Sequence, residues 1–198
     1  MKVEKTKFLS YRVGKLAKGC ELCVQGRKLV LFVTGICPRG CFYCPLSDTK
    51  RNLDVIYANE WKLKDENDID SLMKEAKLTG AKGAGITGGD PLLKIDRTVK
   101  YIKLLKNKFG KGFHIHLYTL PEFVTEDNLK KLYAAGLDEI RLHPEIESRK
   151  HWWKMDLVKK YNWDIGIEIP AIPNMEKEII MLINYFKNSI DFLNINEL

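Results

Sequence analysis

Three cysteines fall within eight residues of this chain, at Cys37, Cys41 and Cys44. The chain has five cysteines in all, and its charged N-terminus is not followed by the apolar segment of a secretory signal. Both features favour a reducing compartment, and we expect a cytoplasmic protein. Closely spaced thiolates in such a compartment bind a metal centre far more often than they form disulfides. The spacing therefore predicts a metal centre, against the competing interpretation of three buried thiols that lie close together by chance.

The loop supplies three thiol ligands, one fewer than an ordinary iron–sulfur cluster uses. A [4Fe–4S] cluster is usually held by four cysteines, one for each iron. Three cysteines leave one iron open, and an open coordination position distinguishes a reactive metal site from a structural one. We therefore expect Cys37, Cys41 and Cys44 to hold a [4Fe–4S] cluster that binds a further molecule.

A pair of glycines ends a later apolar segment, in the sequence Thr87-Gly88-Gly89-Asp90-Pro91. Glycine lets the backbone come close to a ligand, and carbonyl groups left free at a strand end can accept hydrogen bonds from an ammonium group. Alone, such a segment is usually a turn. Its position shortly after the cysteine loop makes Gly88, Gly89 and Asp90 candidates for ligand binding.

Short apolar strands alternate with amphipathic helices from residue 29 onward. The predicted strands cover residues 29–34, 83–87, 113–119, 140–143, 165–169 and 192–195. The predicted helices contain apolar stripes at residues 69–76, 99–109, 129–133, 153–161 and 179–186. Such alternation forms right-handed units around a parallel sheet. It predicts an α/β fold, an open, partial (β/α)6 TIM-like barrel. The chemistry of such a barrel lies at the carboxyl ends of its strands, where the cysteine loop falls.

Polar residues alternate with apolar ones along the later strands. Apolar residues such as Ile115, Ile140 and Ile167 must face the helices, which turns the polar residues toward the inside of the barrel. The inward set is His116, Tyr118, Arg141, His143, Glu168, Asn194 and Asn196. Such groups are costly to bury without partners. We therefore predict a polar cavity filled by a ligand, in which Arg141 and Glu168 pair when the cavity is empty.

The composition fits one domain with a surface rich in lysine. The chain has 198 residues, of which 33 are Lys or Arg and 26 are Asp or Glu, giving a net charge of +7. The basic residues are spread along the sequence, so a solvated surface explains them better than a nucleic-acid interface. No apolar run reaches the length of a membrane span, so we expect no membrane partner.

The cysteine motif, with Tyr43 before its last cysteine, resembles the signature of the radical S-adenosylmethionine (SAM) enzymes. In that family the open iron binds the amino and carboxylate groups of SAM. The segment Gly88-Gly89-Asp90 resembles the Gly-Gly-Glu segment that holds the SAM amino group, with Asp90 where the family most often has Glu. The resemblance implies that this segment binds SAM and that Tyr43 lies by the adenine.

The inward-facing residues extend the resemblance to the rest of the barrel. Arg141, His143 and Glu168 fall where the family commonly contacts the ribose, the carboxylate or the substrate. We expect other residues on the same face to join them in binding SAM or substrate. These are His116, Tyr118 and Asn194.

The likeness narrows to a group of archaeal proteins related to pyruvate formate-lyase activating enzymes. It is carried by residues 42–47, 88–92, 114–119 and 166–170. Members of that group continue past the sixth strand. We therefore expect a radical SAM core at residues 29–198 that lacks a closing C-terminal segment, preceded by an extension at residues 1–28.

The resemblance also implies a mechanism. The reduced cluster passes one electron to the SAM sulfonium, the bond to the 5′ carbon breaks, and a 5′-deoxyadenosyl radical abstracts hydrogen from the substrate. A low-potential electron donor such as ferredoxin or flavodoxin is required. The substrate stays open between a protein, an RNA and a small molecule.

Two alternatives remain. Cys20 and Cys23 form a lone C-x2-C pair in the N-terminal extension, which is either structural or half of a metal site completed from elsewhere. The whole chain could also be a non-catalytic iron–sulfur or zinc-binding module for electron transfer. SAM binding discriminates, because such a module has no reason to bind it.

Overall fold

The computed structural model describes residues 2–7 and 9–197. The chain begins with an antiparallel hairpin of two exposed strands, β1 (Val3–Lys5) and β2 (Tyr11–Val13), followed by helix α1 (Lys18–Val24). The sequence predicts none of these three elements, because segments this short carry too little periodic pattern.

An eight-stranded sheet forms the centre of the described chain. Its strands are β3 (Lys28–Phe32), β4 (Tyr57–Ala58), β5 (Trp61–Lys62), β6 (Gly83–Thr87), β7 (His114–Thr119), β8 (Glu139–Leu142), β9 (Asp164–Pro170) and β10 (Phe192–Asn196). The spatial order is β10-β9-β8-β7-β6-β3-β4-β5. The strands from β10 to β3 are parallel, and β4 and β5 extend the sheet as an antiparallel hairpin. The parallel part confirms the predicted α/β partial barrel.

Helices alternate with the parallel strands. They are α2 (Ile69–Leu78), α3 (Ile95–Phe109), α4 (Glu126–Ala135), α5 (Met155–Val158) and α6 (Glu176–Phe186). The hydroxyl of Thr125 accepts from the N–H of Asn128 and caps α4. Gly136, with φ of 97°, ends the same helix. Within the described ranges, no helix is long and apolar enough to cross a membrane.

The hydrophobic core lies between the sheet and the helices. Ile115, Ile140 and Ile167 are fully buried, and they belong to one apolar cluster with Leu105 of α3 and Leu132 of α4. Burying a side chain of this size contributes about 1.5–3 kcal/mol. The apolar residues of these strands therefore face the helices, as predicted, and their polar neighbours face the inside of the barrel.

One predicted helix is much shorter than expected. The stripe at residues 153–161 predicts a helix of that length, but the structure has a 3-10 turn at Trp152–Lys154 and then only the four residues of α5. The buried indole of Trp163 donates to the carbonyl of Val158 at 3.1 Å. The same carbonyl accepts from the N–H of Tyr161 at 3.4 Å, so a backbone turn and the tryptophan together satisfy it where the helix stops.

Candidate active site

The segment between β3 and β4 carries the three predicted cluster ligands on a loop that is closed at its base. The N–H of Gly35 donates to Leu53 at 2.8 Å, and the N–H of Asn52 donates back to Gly35 at 2.9 Å. A Cβ on Gly35 would lie 1.6 Å from the carbonyl oxygen of Lys50. Only glycine fits this close approach of two backbones, and the pair of hydrogen bonds holds the two ends of the loop together.

The three loop cysteines are free thiols and are only partly buried. The N–H of Cys44 donates to the carbonyl of Cys41 at 3.1 Å, which forms a tight turn between two of them. Burial raises the pKa of the Cys37 thiol, so this group keeps its proton until a metal displaces it. Three accessible thiols on one anchored loop fit the donor set of a cluster bound through three of its irons.

The glycine segment after β6 packs directly on the start of the cysteine loop. The N–H of Gly89 donates to Thr34 at 2.7 Å, and the N–H of Asp90 donates to Ile36, the residue before the first cysteine, at 2.9 Å. A Cβ on Gly89 would lie 2.2 Å from the Ile36 oxygen, and one on Gly88 would lie 2.3 Å from the Thr34 oxygen. Both glycines are therefore needed for contact between backbones. The N–H groups of Gly89 and Asp90 are hydrogen-bonded within the protein, so the groups that this segment can offer to a ligand are carbonyl oxygens.

The Asp90 side chain is fully buried and already has protein partners. Its oxygens accept from the N–H of Leu92 and the N–H of Leu120, each at 2.8 Å, and from the hydroxyl of Thr119 at 2.9 Å. Burial raises the Asp90 pKa to about 6, although these donors favour the ionised form. The carboxyl group therefore ties the glycine segment to the end of β7, a structural role that the sequence does not predict.

Tyr43 is joined to His143, the residue that follows β8. The Nδ1–H of His143 must donate to the carbonyl of Glu168 at 2.8 Å, because a carbonyl only accepts. Burial lowers the pKa of His143, so the ring is neutral and its Nε2 is an acceptor. The Tyr43 hydroxyl, 3.0 Å away, therefore donates to Nε2. These bonds set both the tautomer and the orientation of the imidazole.

Arg39 provides a second link between the loop and β8. Its guanidinium donates to the carbonyl of His143 at 3.2 Å and pairs with Glu122 at 3.1 Å. Because β6 and β7 lie between β3 and β8 in the sheet, the loop crosses the carboxyl ends of both strands. The predicted cluster ligands thus lie over the mouth of the partial barrel, where the chemistry of such folds is found.

An ion-pair network centred on Arg141 fills the inside of the barrel. Arg141 is 3% exposed and pairs with Glu139 at 2.5 Å and with Glu168 at 2.9 Å. It also donates to the hydroxyl of Tyr118 at 2.8 Å. The predicted pairing of Arg141 with Glu168 is present. Two carboxylates, the Tyr118 hydroxyl and the Cys20 sulfur together satisfy most of the donors of this buried guanidinium, which makes its burial tolerable.

The amides of β10 complete this network. Asn194 and Asn196 donate to the Glu168 carboxylate at 2.9 Å and 3.0 Å. The Asn194 amide also lies 3.4 Å from the sulfur of Cys20 on α1. Helix α1 therefore closes the inside of the barrel from the N-terminal side.

His116 lies against α1, far along its strand from the cysteine loop. It is 4% exposed, and a Cβ on Gly19 of α1 would lie 2.3 Å from its Nδ1. The ammonium group of Lys28 contacts the same nitrogen and lies 3.3 Å from the Gly19 carbonyl. His116 is thus packed between a helix and a strand at the N-terminal end of the barrel.

The structure divides the predicted site residues into two groups. One group lies at the mouth of the barrel and consists of Cys37, Cys41, Cys44, Tyr43, Gly88, Gly89, Asp90 and His143. The other lies inside and consists of His116, Tyr118, Arg141, Glu168 and Asn194. The sequence predicts a bound ligand because polar groups are costly to bury without partners. The residues of the inner group have partners within the chain, so their burial does not need a ligand. Contacts of either group with SAM stay predictions.

Sequence reasoning misses the acid at the centre of the inner network. Glu139 is fully buried and faces Arg141. The predicted strand begins at residue 140, which leaves Glu139 outside it. Its place two residues before Arg141 was the available signal, because alternate residues of a strand share one face.

Comparison with known proteins assigns this arrangement to a family. The family model "Radical SAM superfamily" matches residues 31–189, a range that starts in β3 and includes the cysteine loop, the glycine segment and the strands β6 to β9. This chain belongs to the radical SAM superfamily. That membership favours the predicted radical SAM chemistry over the alternative of a non-catalytic electron-transfer module.

Two curated relatives match this radical SAM chain over part of their length. A protein of Methanocaldococcus jannaschii that bears the provisional name glycyl-radical enzyme activating enzyme is 52% identical over 201 residues, covering 97% of this chain and 52% of the relative. A protein of Methanococcus aeolicus provisionally named GTP 3′,8-cyclase is 29% identical, covering 68% of this chain and 44% of the relative. The chain spans about half the length of the curated relatives it matches. The first relative agrees with the predicted likeness to activating enzymes.

Solved structures share the fold at low sequence identity. A radical SAM methyltransferase from Kitasatospora setae, with tryptophan and a SAM analogue bound, has a TM-score of 0.61 at 13% identity, covering 98% of this chain and 40% of the other. Methylornithine synthase has a TM-score of 0.61 at 15% identity, covering 86% of this chain and 52% of the other. These likenesses concern the fold alone and support the partial barrel.

Proposed function

We propose that this chain is the radical SAM domain of an enzyme that cleaves SAM reductively and abstracts hydrogen from a partner protein. The observation that carries the proposal is the contact between the two motifs at the mouth of the barrel. Asp90 N–H donates to Ile36 at 2.9 Å, which places the glycine segment one residue from Cys37 along the chain. A ligand on an open iron would meet that segment.

The three loop thiols hold the cluster in this proposal. A [4Fe–4S] cluster bound by Cys37, Cys41 and Cys44 supplies one low-potential electron and an iron with an open position. The chain contributes a loop fixed at its base by Gly35 and at its tip by Tyr43 and Arg39. A ferredoxin or flavodoxin is the proposed electron donor.

The glycine segment and His143 orient SAM in this proposal. The SAM ammonium needs acceptors, and the carbonyl groups of Gly88 and Gly89 offer them, whereas the Asp90 carboxyl is occupied within the protein. The hydrogen bond between Tyr43 and His143 uses only the hydroxyl of Tyr43, so the ring of Tyr43 can pack against the adenine. The protein thus binds, orients and shields the ligand from water.

The proposed substrate is a glycine residue in another protein. Support comes from the relative at 52% identity, whose name describes activation of a glycyl-radical enzyme. Phe42, beside the cluster ligands, is 77% exposed and packs edge-on against Tyr43 with ring centroids 5.0 Å apart. An exposed aromatic ring at the mouth is suited to contact a partner polypeptide.

Anaerobic reconstitution tests the first half of the proposal. Iron, sulfide, dithionite and SAM should yield 5′-deoxyadenosine with the wild-type chain and none with Cys41→Ala. Cys23→Ala is the matched control, since Cys23 is an exposed cysteine outside the loop, and it should keep the activity. Production of 5′-deoxyadenosine by the loop variant would overturn the cluster assignment.

Isotope transfer tests the substrate. Peptides that carry deuterium on the α carbon of a single glycine should pass deuterium into 5′-deoxyadenosine, detected by mass spectrometry. Peptides with deuterated alanine at the same position should pass none. Stimulation of SAM cleavage by RNA or by a small metabolite, without transfer from glycine, would exclude a protein substrate.

A further inference from the structure

Two histidines and a glutamate converge at the N-terminal end of the barrel, opposite to the cysteine loop. His114 and His116 lie on one face of β7, and Glu139 starts the neighbouring strand β8. One possible ligand atom from each residue lies within 4.8 Å of the others. The three side chains are 11%, 5% and 0% exposed. This cluster has no part in the proposed SAM chemistry.

One of the two histidine–glutamate distances in the cluster matches the distance between ligands of a shared ion. His114 Nε2 lies 3.4 Å from one Glu139 oxygen, and His116 Nδ1 lies 3.7 Å from the other. Around a tetrahedral zinc ion, with bonds of about 2.0–2.2 Å, neighbouring ligand atoms are about 3.3–3.6 Å apart. The His114 pair lies within this range and the His116 pair just beyond it.

His114 has an unsatisfied ring. Neither of its two nitrogens has a hydrogen-bond partner in the described part of the chain, although both are buried. Buried polar atoms nearly always have a hydrogen-bond partner or bind an ion, so a buried imidazole without a partner points to a ligand that binds it. Its Nε2 lies 3.4 Å from a Glu139 oxygen without making a hydrogen bond, which is close enough for both atoms to bind one cation.

The surroundings of Glu139 resemble the support that metal ligands receive. The carboxylate accepts from Arg141 at 2.5 Å and from the N–H of Gly19 at 3.2 Å. Partners of this kind hold a ligand in its binding orientation. They also connect the cluster to α1, which lies across this end of the barrel.

A cation already lies beside this cluster in the structure. The Lys28 ammonium contacts His116 Nδ1 and is held by the Gly19 carbonyl at 3.3 Å. Lys28 is only partly buried, and its flexible side chain can turn to solvent. Replacing one ammonium by a divalent ion adds a single unit of charge, next to the carboxylate.

We propose that His114, His116 and Glu139 form a binding site for a divalent transition-metal ion of the zinc type. Three protein ligands leave a fourth position for water. Lys28 occupies the region when the metal is absent and leaves when it binds. The ion then fastens α1 to the sheet through Glu139 and Gly19.

Zinc content of the reconstituted full-length chain tests the site. After incubation with zinc and dialysis, the wild type should retain about one zinc ion per chain in addition to its cluster iron. His114→Gln and His116→Gln should each lose the zinc while keeping the iron. His151→Gln, a histidine outside the cluster, is the matched control and should keep both. Zinc retained by both cluster variants would overturn the proposal.

Two further measurements guard against variants that merely unfold. Lys28→Gln removes the competing cation and keeps a polar side chain, so it should raise zinc affinity by about tenfold or more, measured by competition with a chelator. X-ray absorption at the zinc edge should show nitrogen and oxygen neighbours. An unchanged or lower affinity in Lys28→Gln, or a shell made of sulfur alone, would reject the site.

Discussion

At the scale of single residues, the hydroxyl of Tyr43 is the donor that fixes the cluster loop to His143. Its partner can only accept, because the opposite ring nitrogen donates to the Glu168 carbonyl. Burial raises the pKa of the Tyr43 phenol, so the hydroxyl keeps its proton across the pH range in which the enzyme is handled. One hydrogen bond thus links the residue before Cys44, a proposed cluster ligand, to the rim of the barrel.

Tyr43→Phe removes the hydroxyl that makes this bond and keeps the aromatic ring. We expect a loss of about 0.5–1.5 kcal/mol in the free energy of unfolding, together with slower formation of 5′-deoxyadenosine, because the loop is less firmly held. Urea unfolding and product analysis measure the two effects. Tyr133→Phe, at a half-exposed tyrosine on α4, is the control. Equal effects in both variants would mean that the link to His143 has no special role.

Asp90 gives a second prediction at this scale, concerning pH. Its pKa is raised from 3.8 to about 6, mainly by burial. Between these values the folded chain binds a proton that the unfolded chain has lost, so the contribution of Asp90 to stability falls as the pH rises through this window. Asp90→Asn cannot ionise. It also places an amide donor among N–H donors, so it should be less stable than the wild type at low pH.

The stabilities of the wild type and Asp90→Asn should therefore become more similar as the pH rises. We expect the stability gap between wild type and Asp90→Asn to shrink by up to about 3 kcal/mol between about pH 4 and about pH 8. Urea titrations of the metal-free chains at several pH values measure it. A gap that is constant with pH would show that Asp90 is ionised throughout.

At the scale of elements, the sequence predicts the parallel strands and misses the short pieces around them. The alternation of His116 and Tyr118 with Ile115 and Leu117 is strong enough to define both β7 and its inward face. Helix α1 has only seven residues, and it is held in part by residues far away in the sequence, Glu139 and Arg141. Local pattern carries no information about such contacts, so the helix that closes the barrel could not be foreseen.

Because local pattern carries no information about distant contacts, the sequence predicts one part of the candidate site and misses another. The cysteine loop is a local motif, and its spacing alone predicts three ligands close together. The Asp90 carboxyl is bound at the end of β7, by Thr119 and Leu120, and Arg141 pairs with Glu168 of the neighbouring strand β9. These contacts depend on the register between strands, which a single sequence does not define. The sequence therefore indicates which residues face inward and that Arg141 can pair with Glu168, but not that the other inward residues have partners in the chain.

Gly19→Ala tests whether α1 is held tightly against the sheet. The added Cβ would lie 2.3 Å from His116 Nδ1, 2.6 Å from Arg141 and 2.8 Å from Lys28. Overpacking of this kind typically costs about 1–3 kcal/mol. We expect a loss of that size by urea unfolding, with cluster iron unchanged. Gly112→Ala is the control, since a Cβ there has open space, and equal stability of the two variants would place α1 away from the barrel.

At the scale of the whole molecule, the two ends of the barrel differ in construction. The carboxyl ends of the strands carry a loop of free thiols, whereas the opposite end is closed by α1 over a network of charged side chains. The cysteine loop is held by backbone hydrogen bonds and by the side chains of Tyr43 and Arg39. The closed end is held by the ion pairs of Arg141. The proposed reactive centre would thereby lie at the open end of the barrel, where an electron donor can approach it.

The net charge of the molecule predicts how that donor approaches. With a charge of +7, the chain attracts an acidic donor, and exposed charges are screened over about 10 Å at 0.1 M salt. We expect reduction of the reconstituted cluster by an acidic flavodoxin to slow as salt rises from about 0.05 M to about 0.5 M, followed by stopped-flow absorbance. Reduction by a small uncharged photoreductant should change little over the same range and serves as the control. If both rates respond equally to salt, the effect belongs to the cluster itself, and electrostatic attraction of the donor is excluded.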